Sequence, residues 1–402
     1  MATALLLSMS SFAQQALFDN VPVVSPEVNA NHTVTFRLKA PNAQKVQITG
    51  DFLPTKQIDT PVGKYDAPGV ADLVKDDKGV WSFTSTNLSP ELYSYNLILD
   101  GVKIVDPGSV YITRDITSET NIFILSDKKG DCGDLYTVNE VPHGNVQKVW
   151  YDSPTLKMQR RMTVYTPAGY DKGKDYPVLY LLHGAGGDED AWTTLGRASQ
   201  ILDNLIATGK AKPMVVVMTN GNPNCQAAPG EWSAGMYVPS FYGYQGAKAV
   251  ATMDESFPDV MNYVESHYKV GKDKAHRAIC GLSMGGGHSF DISRRFPNKF
   301  DYVGLFSAGL HVGKTGDFRS DFYKMLQEDE EAKQQLATLF KNKPKLYWIG
   351  MGKTDFLYKS TAGLRRYFDE KGYKYTYMET EGGHIWRNWR VYLTEFAQKI
   401  FK

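Results

Sequence analysis

The sequence predicts two domains: an all-β sandwich, then an α/β domain with a mostly parallel central sheet. Three observations carry this. The chain has 402 residues, more than one average domain. Up to about residue 125, apolar residues alternate with period two, as in half-buried strands. From residue 146 onward, short apolar runs alternate with helical stretches, the pattern of a sheet covered on both faces.

The elements follow in chain order. Residues 1–17 read as a disordered tail or residual signal peptide, with Ser11-Phe12-Ala13 as a small-x-small cleavage site and no basic segment before it. The apolar part is too short to span a bilayer, so the reading is export to the periplasm or beyond the cell. Residues 18–125 form the sandwich, with strands at 33–38 (TVTFRL), 45–48 (KVQI), 81–84 (WSFT) and 93–99 (YSYNLIL). Asp100-Gly101 is a hairpin turn signal. Residues 126–145 are polar and turn-rich and read as a linker. The α/β domain spans 146–402, with an antiparallel pair at 147–151 and 160–165. Apolar runs follow at 178–182, 214–218, 278–280, 302–307, 346–349 and 375–378.

Composition excludes some functions. Lys plus Arg is 45 against 44 Asp plus Glu, without the basic excess of a nucleic-acid binder. No H-E-x-x-H, C-x-x-C or phosphate-loop motif occurs, so no metal or cofactor is expected. The cysteines are Cys132, Cys225 and Cys280. Cys280 lies in an apolar strand and reads as core. Cys132 and Cys225 are the pair open to a disulfide, which the sequence leaves undecided.

The chemistry is carried by Gly281-Leu282-Ser283-Met284-Gly285, a G-x-S-x-G turn between the strand at 278–280 and a helix placed at 288–296. A serine at such a corner needs neighbours without Cβ atoms, because backbone passes close by. The corner lifts the hydroxyl above the sheet, beside unpaired N–H groups of the helix start. A base is needed. His384, in Glu381-Gly382-Gly383-His384, follows the last strand and precedes a helix placed at 389–400. His288 would ride the nucleophile helix as packing or surface, and His311 would line a pocket. The acid belongs between nucleophile and base, and Asp355 follows a strand and a glycine turn there. Asp317, Asp321, Glu379 and Glu381 stand in looser contexts. Asp355 would fix the His384 tautomer, although a helix cap is an alternative role. The second oxyanion donor is placed in His183-Gly184-Ala185-Gly186-Gly187, giving the N–H groups of Ala185 and Met284 as the pair. His183 itself reads as loop support.

These residues carry a resemblance. His183 to Gly187, Asp188 to Trp192, Gly281 to Gly286, Asp355 and His384 resemble the esterase D-like α/β hydrolases, and most closely the feruloyl esterases of carbohydrate esterase family 1. In the first domain, 36–43 (FRLKAPNA), 95–101 (YNLILDG) and Asp106-Pro107 look like the immunoglobulin-like modules of the family 48 carbohydrate-binding type. The resemblance implies a serine esterase that releases ferulic or related hydroxycinnamic acids from xylan through an acyl-enzyme. Acetylxylan esterase and siderophore esterase are the alternatives within the same chemistry. It implies feruloylated arabinoxylan as partner. Glycan binding by the first module stays open, as does a purely structural role. A glycine- and aromatic-rich stretch at 220–257 includes Trp232, Tyr237, Phe241, Tyr242 and Tyr244. With Trp192, Trp386 and His311, these rings either wall an acyl pocket or pack the loop onto the body.

Overall fold

In the computed structural model, described over residues 23–60, 63–238, 249–312 and 321–402, the two regions fold as the periodicities require. The first is all-β. A four-stranded sheet contains Val34–Lys39 and Val80–Thr84, and faces a six-stranded sheet containing Val46–Gly50, Glu91–Leu99, Ile112–Asp115 and Ser118–Leu125. Alternate residues point inward and make one core, with Phe36 packed edge-on to Tyr95 and Phe123. Asp106 is buried and accepts hydrogen bonds from Ser25 Oγ, Tyr95 Oη and its own turn at Gly108, so its charge costs little to bury.

The second region is built on an eight-stranded sheet. Its strands are β1 (Asn145–Ser153), β2 (Met158–Thr166), β3 (Val178–Leu182), β4 (Val215–Thr219), β5 (Arg277–Leu282), β6 (Tyr302–Phe306), β7 (Leu346–Gly352) and β8 (Thr376–Thr380). They lie in the order β1-β2-β4-β3-β5-β6-β7-β8. β1, β2 and β4 pair antiparallel, and the rest are parallel. β3, β4, β5 and β6 are buried on both faces, hence the unbroken apolar runs VLYLL and VVVMT.

The helices are α1 (Cys132–Tyr136), α2 (Ala191–Thr194), α3 (Ala198–Ala207), α4 (Met253–His267), α5 (Met284–Arg295), α6 (Phe322–Glu328), α7 (Glu330–Lys341), α8 (Tyr358–Lys371) and α9 (Trp386–Ala397). They cover the two faces and give two apolar layers, one with α4, α5, α7 and α8, the other with α3 and α9. All parallel strands end at one rim. His183, Ser283, Asp355 and His384 each follow a strand there.

Two details differ from the sequence reading, and a third that it left open is decided. The nucleophile helix starts at Met284, not 288, because Gly285, Gly286 and Gly287 lower local helix propensity but are needed for packing. The last helix starts at Trp386, not 389. Cys132 and Cys225 are both free thiols: one is on α1 and the other is buried beside β2, so no disulfide joins them. The polar segment 126–145 also contains α1, whose Tyr136 is buried with Leu92 and Ile122 of the sandwich in the α3/α9 layer. The two regions therefore share a core.

Candidate active site

Ser283 sits at φ 52°, ψ −116°, a region that side chains rarely adopt. Such strain costs about 1–3 kcal/mol and persists only where the surroundings impose it. Here they do. The Ser283 N–H donates to Phe306 O at 2.9 Å, and its carbonyl accepts from Gly287 at 3.0 Å and Gly309 at 2.9 Å. The glycines are explained by contact. A Cβ on Gly281 would lie 2.5 Å from the Gly285 carbonyl oxygen, and one on Gly285 would lie 2.5 Å from the carbonyl oxygens of Leu182 and His183. Gly285→Ala must therefore push α5 away from the end of β3. The expected result is a loss of about 1–3 kcal/mol in urea unfolding, of the size seen for overpacking, together with lost activity.

The 183–187 loop lies against the nucleophile: a Cβ on Gly184 would come 3.2 Å from Ser283 Cβ. His183 braces the loop from below. Its Nδ1 donates to the Gly184 carbonyl at 2.7 Å, and its Nε2 accepts from the Gly221 N–H at 2.7 Å. That pair of bonds fixes a neutral tautomer, and burial holds the imidazole below its ordinary pKa. Ala185 is exposed at the turn. Met284 is the first residue of α5, where N–H groups have no intrahelical partner.

Buried charges anchor the same region. Glu189 accepts from Arg161 at 2.7 Å, Asn220 at 3.0 Å and the Ala228 N–H at 2.8 Å. Arg160 donates to the carbonyls of Asn220, Asn222 and Cys225. The chain leaving β4 is thereby fixed over the rim. Sequence reasoning missed this layer. The adjacent Arg160-Arg161 inside an apolar strand was its signal, since arginines are buried only with partners.

Asp355 and His384 meet. The imidazole Nδ1 lies 2.9 Å and 3.1 Å from the two carboxylate oxygens, and the Leu357 N–H donates to Oδ1 at 2.9 Å. The ring packs against Phe356 and Trp389, with centroids 4.5 and 4.9 Å away. Gly382, at φ 77°, turns the loop, and Asn388 holds the Gly383 carbonyl at 2.9 Å. With Nδ1 committed to Asp355, Nε2 is the nitrogen left for chemistry. The His384 side-chain hydrogen bonds given by this structure run from Nδ1 to Asp355, and a contact between base and nucleophile often tightens only with substrate. The competing acids are otherwise engaged. Asp321 caps α6, Glu379 accepts from Tyr358 and Tyr377, and Glu381 pairs with Lys353. Asp317 lies outside the described residues.

The expected pocket rings separate. Trp192 is 1% exposed and donates its indole N–H to the Leu182 carbonyl, so it is core and not a pocket wall. Trp386 packs edge-on to both Trp192 and Trp389. Trp232 lies over its own turn, where a Cβ on Gly235 would strike the indole. Tyr237 is 94% exposed. Phe241, Tyr242 and Tyr244 lie outside the described residues. His311 is exposed beyond β6. His288 has a buried, unpartnered Nδ1, and burial, with His183 nearby, lowers its pKa to about 4, so it packs as a neutral ring.

Comparison with known proteins gives one family and several relatives. The Esterase family model matches residues 153–400. An endo-1,4-beta-xylanase/feruloyl esterase of Xylanibacter ruminicola is 31% identical over 388 residues, covering 94% of this chain and 46% of that protein. The chain thus spans about half the length of that curated relative. A solved ferulic acid esterase superposes with a TM-score of 0.50 at 25% identity, over 64% of this chain and 97% of its own. The enterobactin esterase of Shigella flexneri superposes over 91% of this chain and 92% of its own, with a TM-score of 0.59. At 13% identity that likeness speaks to the fold alone, but it covers both regions.

Proposed function

Since the chain belongs to the esterase family, we propose that Ser283, His384 and Asp355 form its catalytic triad and that its substrate is a feruloyl or related hydroxycinnamoyl ester on plant xylan. The observation that carries the triad is the Asp355–His384 pair at 2.9 Å on the rim where Ser283 stands at its strained corner. In this reading His384 Nε2 takes the Ser283 proton as the hydroxyl oxygen attacks the ester carbonyl. The tetrahedral oxyanion is held by the N–H groups of Ala185 and Met284; one such donor contributes roughly 3–4 kcal/mol. His384 then returns the proton to the leaving sugar oxygen. Water, deprotonated by the same imidazole, releases the acid from the acyl-enzyme. The order of residues along the chain, Ser then Asp then His, is that of α/β hydrolases.

The substrate rests on the relatives, one named endo-1,4-beta-xylanase/feruloyl esterase and another ferulic acid esterase. Action on cell-wall xylan implies export. Among the described residues, no helix is long and apolar enough to cross a membrane. Turnover of methyl ferulate, an acetylated xylan and a cyclic siderophore, compared at equal concentration, tests the substrate. Ferulate release at a kcat/KM at least about tenfold above the others is expected, a margin of about 1.4 kcal/mol in the transition state. Preference for the acetyl ester or the siderophore overturns the acyl assignment and leaves the triad standing.

A further inference from the structure

The sandwich meets the α/β domain directly after the oxyanion loop and on α9, the helix that follows His384. Asp188, directly after the oxyanion loop, is 3% exposed, and Arg114 of the sandwich donates to its Oδ2 at 2.6 Å. Its Oδ1 accepts the Asp190 N–H at 3.0 Å. Among the described residues, Arg114 is the only cation paired with this buried carboxylate. On the other side of the rim, Arg390 of α9 is buried, six residues after His384. It donates to Glu91 Oε1 at 3.3 Å and to the Leu92 carbonyl at 3.2 Å, both in the sandwich. Asp188 and Arg390 are therefore buried charges whose partners belong to the other domain, and removing one partner of such a pair leaves an unpaired buried charge.

The hairpin that brings Arg114 in is unusual. Ile112–Asp115 and Ser118–Leu125 are joined by Ile116-Thr117, and Ile116 has φ 56°. A β-branched residue there is strained, and two-residue turns favour Asn or Gly. Arg114 bridges this turn to the α/β domain, donating from Nη1 to the Ile116 carbonyl at 3.1 Å while Nη2 holds Asp188. On the sandwich side, burial raises the carboxyl pKa of the adjacent Asp115. The same domain offers no obvious sugar platform from tryptophan: Trp81, its only one, is 8% exposed and donates to the Ala40 carbonyl.

We propose that the 112–118 hairpin is a positioning element of the esterase site, with Arg114 setting the oxyanion loop through Asp188. The proposal rests on the serine-esterase reading above. It makes the sandwich part of the catalytic unit for any ester, including one too small to reach it.

The test uses the full chain and methyl ferulate, a soluble ester without sugar. Arg114→Ala is expected to lower kcat about tenfold to a hundredfold, the cost of a small misplacement of reacting groups, with KM changed less than about threefold. Asp188→Asn should do the same, and the double variant should lose no more than the worse single, because both remove one interaction. Arg114→Lys keeps the charge but not the fork, and should restore part of kcat. If Arg114→Ala does not fold, Arg114→Lys and Asp188→Asn carry the same readout. Wild-type kcat on methyl ferulate in folded Arg114 and Asp188 variants overturns the proposal, whether or not activity on xylan falls. Retained activity in Ser283→Ala would instead sink the esterase mechanism beneath it, so the two failures are distinguishable.

Discussion

If Ser283 is the proposed nucleophile, Ser283→Ala is expected to lower kcat on methyl ferulate by roughly a million-fold, the scale of losing a nucleophile whose triad acts as a unit. The fold survives, since the side chain makes no hydrogen bond on which packing depends and alanine accepts the same contacts. A second variant separates chemistry from strain. Ser283 is held at φ 52°, ψ −116°, where glycine is at ease and alanine is not. Ser283→Gly is therefore as inactive as Ser283→Ala but more stable than it. Relief of about 1–3 kcal/mol of strain outweighs the roughly 0.4–1 kcal/mol that glycine loses through the freer unfolded chain. Urea midpoints of the two variants measure the difference. Equal or lower stability for the glycine variant removes the claim that the corner stores strain. Activity within a hundredfold of wild type in either variant removes Ser283 as nucleophile.

Asp355→Asn is expected to lower kcat by about ten-thousand-fold, for a reason the local hydrogen bonds give. Oδ1 accepts the Leu357 N–H at 2.9 Å, while Oδ2 is the oxygen nearer His384 Nδ1, at 2.9 Å. An asparagine keeps its carbonyl toward Leu357, because that N–H needs an acceptor in a buried place. Its NH2 then faces Nδ1. The imidazole answers by moving its proton to Nε2, the nitrogen that must accept from Ser283. The wrong tautomer is thus imposed with little change in shape. A crystal structure of the variant with the ring unmoved, beside a kcat lowered less than tenfold, would refute this role for Asp355.

Much of this site was legible from the chain. G-x-S-x-G after an apolar run, a glycine turn before Asp355 and Gly-Gly before His384 all announce backbone that must bend sharply or pass close, and the structure gives each a contact or an angle. Gly285 meets the carbonyls of Leu182 and His183, and Gly382 takes φ 77°. The aromatic residues were less legible. Trp192 and Trp232 have the same composition signature as pocket walls, yet one fills the core and the other covers its own loop. Ring identity says how much surface wants burial, not which surface covers it.

What the sequence determined alone is local and periodic: strands two residues in repeat, helices near four, and glycines wherever a Cβ would collide. These follow from sterics within a few residues, so the two fold types and the residues at the rim could be read directly. Only the tertiary structure decided which buried charge pairs with which. Arg114 and Asp188 are 74 residues apart, and Glu91 and Arg390 are 299 apart. A buried charge must find a partner, but any of many opposite charges satisfies that rule until folding brings one within about 3 Å.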